Sequence, residues 1–324
     1  MTDIFIPMII SFVLAVVLGI FILPLLKKLK ASQTERSDGP STHLGKTGTP
    51  TMGGVIFLIA FFAVSAFYVP MHKNIIPVLI STFGFAAVGF ADDFIKVILK
   101  RSMGLRAWQK LALQIIVSAV VIYYVIAWTN VSFDMIVPFS SAFTLGGTAV
   151  TISLGWFTIP AEFIVLCGTV NGSNFTDGLD GLATLVTIII SGFIIMASLK
   201  TGAGITPAAA AMMGGLFGFL IFNRHPAKVF MGDTGSLALG GFVASSAIMM
   251  NMPIFIVIVA FVYLAEVCSV IIQVLYFRAT GGKRFFRMAP IHHHFELGGW
   301  SEVRVVFMFS ALTLILCIIG YAAI

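Results

Sequence analysis

The chain has 324 residues, 59% of them hydrophobic and only 10% charged, with a mean hydropathy of +1.06. This excludes a soluble globular domain and a disordered segment, and at this length it implies a polytopic membrane protein. The net charge of +6 invites a nucleic-acid partner, but the placement of the charges along the chain excludes one.

An apolar run over 4–26 opens the chain. It is too long for the core of a secretion signal, and its lysines follow it, so the expectation is a retained helix with its N-terminus outside. Further apolar runs cover 53–71, 75–91, 110–129, 158–171, 182–199, 206–222, 235–251, 253–276 and 304–323. They bring the expected transmembrane helices to about ten, near the ~20 residues that a bilayer requires; the fifth is the shortest. Loops 27–52, 92–109, 172–181, 223–234 and 277–303 then share one face. With helix ends included, 17 of the 19 Lys and Arg lie on that face, and only Lys73 and Lys200 do not. Cytoplasmic loops collect basic residues, so the five loops are assigned to the cytoplasm and both termini to the outside. The expected architecture is a single all-α domain, 1–324, with the site built from the five loops. The outer connection 130–157 contains Phe143 to Ile152 around Gly146-Gly147, which predicts a small β-hairpin or an irregular surface loop. Cys167, Cys268 and Cys317 all lie in apolar runs, without metal spacing, and read as buried small residues with no disulfide.

Polar residues with chemical potential gather in the inner loops. In the first, Lys46 to Gly54 combines a lysine, hydroxyls including Thr51, and glycines. It lacks the P-loop ending and predicts a phosphate or substrate contact of another kind. The second begins with Asp92, Asp93 and Lys96; the two carboxylates point about 100° apart on a helix, so they have different tasks. Mutual repulsion would suit one of them to act as a base. The third, Asn171 to Gly181, holds Asn174, Asp177 and Asp180. If the sixth helix begins here, both acids share its first turn, where backbone N–H groups also attract anions. The fourth carries Asn223, Phe230 and Asp233: oxygen ligands, and a ring that a base could stack on. In the ninth helix, Glu266 reads as interhelical glue and Gln273 as a substrate contact. In the fifth loop, His292, His293 and His294 are consecutive. They cannot converge on one metal from a regular helix or strand, which favours hydrogen bonds to sugar or phosphate. Aspartates beside lysines at a membrane boundary suit a phosphorylated substrate carrying Mg2+. A transporter would place its polar residues nearer the midplane.

At these residues the chain resembles the polyprenyl-phosphate N-acetylhexosamine-1-phosphate transferases. Asp92 to Lys96, Asn174 to Gly181 and Phe230 to Ser236 are similar to the motifs of that superfamily. Pro290 to Glu296 and Lys46 to Gly54 resemble its phospho-N-acetylmuramoyl-pentapeptide branch. The resemblance implies UDP-N-acetylmuramoyl-pentapeptide and undecaprenyl phosphate as substrates, lipid I and UMP as products, and Mg2+ as cofactor. It places the site at the inner face of a bacterial plasma membrane and allows a homodimer. It implies Asp92 as the group orienting or deprotonating the lipid phosphate, with Asp93 beside it, and Asp233 as the metal ligand. Lys96 and Lys110 would bind phosphate. Asn174, Asp177, Asp180, Asn223 and Phe230 would hold the nucleotide. His292 and His293 would act at the diphosphate or sugar, with His294, Gln273, Lys46 and Thr51 as further contacts. Direct attack by the lipid phosphate and a two-step path through an aspartyl phosphate both fit these residues.

Overall fold

The computed structural model describes residues 1–29, 48–101, 103–132, 134–144 and 149–324. Among them are ten helices of 15 residues or more: α1 (Thr2–Lys28), α2 (Gly54–Tyr68), α3 (Ile75–Val97), α4 (Ala107–Trp128), α5 (Thr158–Thr176), α6 (Leu182–Thr201), α7 (Thr206–Asn223), α8 (Gly232–Met249), α9 (Phe261–Ala279) and α10 (Glu302–Ala322). Seven are long and apolar enough to cross a membrane, α2 is shorter, and α5 and α8 are long but less apolar. The all-α polytopic architecture is therefore as expected, with three adjustments. α5 continues past residue 171 to Thr176, so Asn174 sits on a helix. The ninth run is broken into a turn at Pro253–Phe255, a short helix at Ile256–Val259 and α9, with Ala260 non-helical between them. No glycine or proline marks the interruption at Ala260 in the sequence.

The third adjustment concerns the outer connection. An antiparallel ribbon is present, pairing β1 (Met135–Ile136) with β2 (Thr151–Ile152) in the register Met135 to Ile152. Its first strand lies upstream of the expected one, and Phe143 and Thr144, expected in a strand, lie in or next to a 3-10 turn, Ser140–Phe143. Gly146 and Gly147 lie outside the described residues, as do Lys30, Arg36 and Lys46.

Lipid replaces water around such a bundle, so apolar burial gives little drive for helix association and close packing takes its place. α1 illustrates this. Phe5, Ile9, Val13, Val17, Ile20 and Phe21 face outward, while Pro7, Ser11, Ala15 and Gly19, four residues apart, form a narrow buried ridge. α8 is the axis of the molecule. All its residues except Asp233 are buried, and its small side chains let neighbours approach closely. A Cβ on Gly240 would fall 2.4 Å from the Val170 Cα of α5, and one on Gly241 2.5 Å from the Phe85 ring of α3.

The helices alternate in direction, which gathers the described site residues at one end. At the other end His72 faces Asp3 at 3.6 Å, Asn74 bonds to the Ala203 carbonyl, and the Phe139 amide bonds to the Ala323 carbonyl. Both chain termini thus lie at the end opposite the site.

Candidate active site

Four helices meet at Asp233, in the first turn of α8. Its Oδ2 takes the Lys96 ammonium of α3 at 2.8 Å and the Lys110 ammonium of α4 at 3.0 Å. Its Oδ1 takes the Asn174 amide of α5 at 2.8 Å. Asn174 also receives Lys110 at 3.0 Å and donates to Ser236 Oγ at 2.8 Å. Below this level Gln114 and Asn171 exchange amide hydrogen bonds and tie α4 to α5.

The adjacent acids of α3 diverge, as helical geometry demands. Asp92 pairs through Oδ2 with Lys96, one turn on, at 2.6 Å, and its Oδ1 accepts from the Leu105 amide at 2.6 Å. Asp93 turns to the start of α8. It accepts from the Asp233 amide at 3.2 Å and from the Thr234 amide and hydroxyl at 2.8 and 2.6 Å. It thus caps α8 from another helix, satisfying N–H groups that the helix itself leaves open. Gly232 makes this approach possible. Its φ is +73°, and a Cβ there would sit 2.6 Å from Asp93 Oδ2. A tether from the first loop completes this side: the Gly53 amide bonds to the Phe230 carbonyl at 2.8 Å and the Phe230 amide to the Pro50 carbonyl at 2.8 Å. Thr51 is buried there, with an unpartnered hydroxyl.

Asp177 and Asp180 do not lie in the first turn of α6. Asp177 follows α5 directly, and α6 begins only at Leu182, after Gly181 at φ +80°. The acids occupy the tight turn between the two helices. Asp177 is partly exposed as a residue, but its carboxyl group faces inward. Desolvation, then repulsion from Asp233, Asp93 and Asp180, pushes it well above the usual carboxylate range. Among the described residues nothing donates a hydrogen bond to it. Asp180 points the other way. Its Oδ2 meets His225 Nδ1 and the Ala227 amide, each at 3.0 Å, and its amide donates to Glu302 at 2.6 Å. Asp180, His225 and Glu302 bring ligand atoms within 4.8 Å of one another, but as they stand they satisfy each other.

The remaining expected residues are placed as follows. Asn223 is buried and spends its amide on Thr184 at 2.7 Å and the Val229 carbonyl at 3.0 Å, shaping the loop before α8. Phe230 is half-buried on that loop. Gln273 accepts from the Phe285 and Phe286 amides at 3.2 and 2.9 Å, which anchors the fifth loop to α9. The histidines form a short helix, Ile291–Glu296. His292 is buried against Glu266, His293 pairs with Glu296 at 2.7 Å, and His294 accepts from the Arg287 amide at 3.1 Å. They diverge, as three consecutive helical residues must. Sequence reasoning missed Thr234, Ser236, His225 and Glu302. Ser236 had a usable signal, since i+3 spacing puts it beside Asp233. Glu302 reads in sequence only as an acid in a first helical turn.

Among the described residues, four carboxylates (Asp92, Asp93, Asp177 and Asp233) gather here against the ammonium groups of Lys96 and Lys110. These carboxylate oxygens suit a hard divalent cation, and among the described residues no cationic side chain pairs with Asp177.

A family model described as glycosyl transferase family 4 matches residues 75–251. A second, the phospho-N-acetylmuramoyl-pentapeptide-transferase signature 1, matches residues 46–58. Among curated proteins the chain is 47% identical to the phospho-N-acetylmuramoyl-pentapeptide-transferase of Acetivibrio thermocellus, over 97% of this chain and 93% of that one. It is 45% identical to that of Carboxydothermus hydrogenoformans, over 97% of each. The same name belongs to a Clostridioides difficile protein at 44% identity, over 97% of this chain and 96% of that one.

Proposed function

The chain belongs to the phospho-N-acetylmuramoyl-pentapeptide transferases, and from that premise we propose how its polar cluster performs the transfer. The protein moves phospho-N-acetylmuramoyl-pentapeptide from its UDP carrier to undecaprenyl phosphate, giving lipid I and UMP, a step of peptidoglycan synthesis. The observation that carries the proposal is the meeting of Lys96, Lys110 and Asn174 on Asp233 at one end of the bundle. A lipid phosphate and a soluble nucleotide can share only such a boundary. We assign that end to the cytoplasm, on the basic residues of its loops.

Phosphoryl transfer depends chiefly on positioning and charge neutralisation. Asp233 and Asp177 would hold Mg2+, which when bound neutralises diphosphate charge and polarises the phosphorus. Lys96 and Lys110 then pass from Asp233 to phosphate oxygens. Asp92, which lies directly beside Asp233 and shares Lys96 with it, orients the attacking lipid phosphate and takes its proton where it carries one. Asp93 keeps α8, and with it Asp233, in register. Asn174 fixes Lys110 and Asp233 relative to each other. Thr51 and Phe230 line the nucleotide, with the Asp180 turn and the loop shaped by Asn223 behind them. His292, His293 and His294 border the sugar–phosphate portion, and Lys46 contributes from the first loop. Both oxygens of Asp92 and of Asp233 already accept hydrogen bonds, which favours direct attack over an aspartyl nucleophile.

UMP release tests this. Purified protein in detergent receives undecaprenyl phosphate, Mg2+ and either UDP-N-acetylmuramoyl-pentapeptide or UDP-N-acetylglucosamine. Release with the first donor alone is the expected result. Release with only the second moves the protein to a sister branch. A trapped phospho-aspartate would overturn direct attack.

A further inference from the structure

We infer that Glu266 is a positioning residue for the transfer, acting on the donor through His292. The inference rests on the reading above, in which His292 meets substrate. Glu266 lies inside α9 and is fully buried. In place of the expected helix partner it reaches the fifth loop, where its Oε1 stands 3.1 Å from Nδ1 of His292, itself 1% exposed. A carboxylate only accepts, so Nδ1 is assigned as the donor, which fixes the tautomer and the tilt of the ring. The His293 ring, 4.1 Å away between centroids and held in turn by Glu296, limits the ring from the side.

The far side of the imidazole is open. His292 Nε2 is buried and has no hydrogen-bond partner. Leaving such an atom unpaired costs roughly 1–3 kcal/mol, and a fold that retains one invites a ligand that completes it. The atom is aimed at the turn between α5 and α6. A Cβ at Gly178 would fall 2.2 Å from it, so glycine keeps the approach clear, one residue from Asp177. Glu266 therefore presents Nε2 to an oxygen of the sugar–phosphate portion of the donor. The arrangement runs from carboxylate to imidazole to substrate, and the carboxylate never touches the reacting atoms.

The test compares wild type, Glu266→Gln, His292→Gln and the double variant as full-length protein in detergent, by kcat and KM for UMP release and by melting temperature. Glu266→Gln should lower kcat roughly 10–100-fold, by analogy with the loss of a carboxylate that orients a metal-bound histidine. KM for the donor should stay within about twofold, and the double variant should be no slower than His292→Gln. Multiplying losses in the double variant would overturn the inference, because a general packing role adds to the histidine defect. So would wild-type kcat in Glu266→Gln beside an impaired His292→Gln. Wild-type kcat in His292→Gln instead removes His292 from the substrate, and so strikes the reading beneath. If Glu266→Gln does not fold, Glu266→Asp carries the same cycle, with the same non-additivity expected.

Discussion

Replacing Asp233 with Asn keeps the shape at the centre of the site and removes its charge. Asp233 now answers two ammonium groups at 2.8 and 3.0 Å and an amide at 2.8 Å. At an effective dielectric near 20, each ion pair is worth about 6 kcal/mol gross, most of it cancelled by desolvation. Asparagine retains one carbonyl oxygen as an acceptor. Lys96 keeps Asp92 at 2.6 Å, and Lys110 keeps Asn174 at 3.0 Å. The net cost to the fold is therefore about 1–3 kcal/mol, a loss of several degrees in melting temperature. Turnover should suffer far more. With the metal role proposed for Asp233, losing its hold on the cation removes several kcal/mol from the transition state, and at about 1.4 kcal/mol per decade this is about 10³-fold or more. The assay is UMP release across a Mg2+ titration, with melting curves on the same samples. Wild type should melt higher as Mg2+ is added, and Asp233→Asn should not. Turnover within tenfold of wild type, or an unchanged Mg2+ response, would refute the metal role of Asp233.

Asp92→Asn should abolish turnover with little change in melting. Asp93→Asn should lower both, because Asp93 accepts from the Thr234 amide and hydroxyl and the Asp233 amide that open α8; equal melting curves for the two would contradict this division. Asp177 has its carboxyl pushed upward by desolvation and neighbouring acids, so the native protein holds that proton more tightly than the unfolded chain. Its contribution to stability is complete below about pH 4 and declines as pH rises through its native range. Asp177→Asn should therefore raise the melting temperature near neutral pH without divalent cation and weaken the gain from Mg2+; a lower melting point without cation counts against the assignment. Gly240→Ala should cost about 1–3 kcal/mol or more by driving α8 off the α5 backbone. Gly281→Ala, at φ +65° with nothing within 4 Å, should cost only about 1 kcal/mol of backbone strain. Melting curves that rank these two the other way would contradict the packing argument.

Local spacing made part of the site readable in the sequence. Asp92 and Lys96 are one helical turn apart and do pair, and Asp233 at a Gly-flanked helix start is where the structure brings the lysines together. The ten runs follow from composition and length, since lipid demands apolar stretches of fixed extent. Tertiary contacts were not readable. Nothing near Asp93 announces that it caps a helix 140 residues downstream, or that Glu302 reaches back to the Asp180 amide. Asp177 and Asp180 were expected on a helix because their i, i+3 spacing allows it. Gly178 and Gly181 instead let the chain turn, and helix spacing alone could not reveal that.

α8 has a consequence for how the protein enters its membrane. It is the most enclosed long helix, yet it is not among the seven that are apolar enough to cross on length and composition. Lipid offers little to a segment that begins Gly-Asp-Thr-Gly-Ser, and the insertion machinery would release it slowly or return it to water. Its neighbours α2, α3, α5 and α6 are all made earlier. Synthesis from the N-terminus therefore builds the receptacle before the helix that fills it, and Asp233 follows Lys96, Lys110 and Asn174, carried on the first turn of α8 to partners already in place.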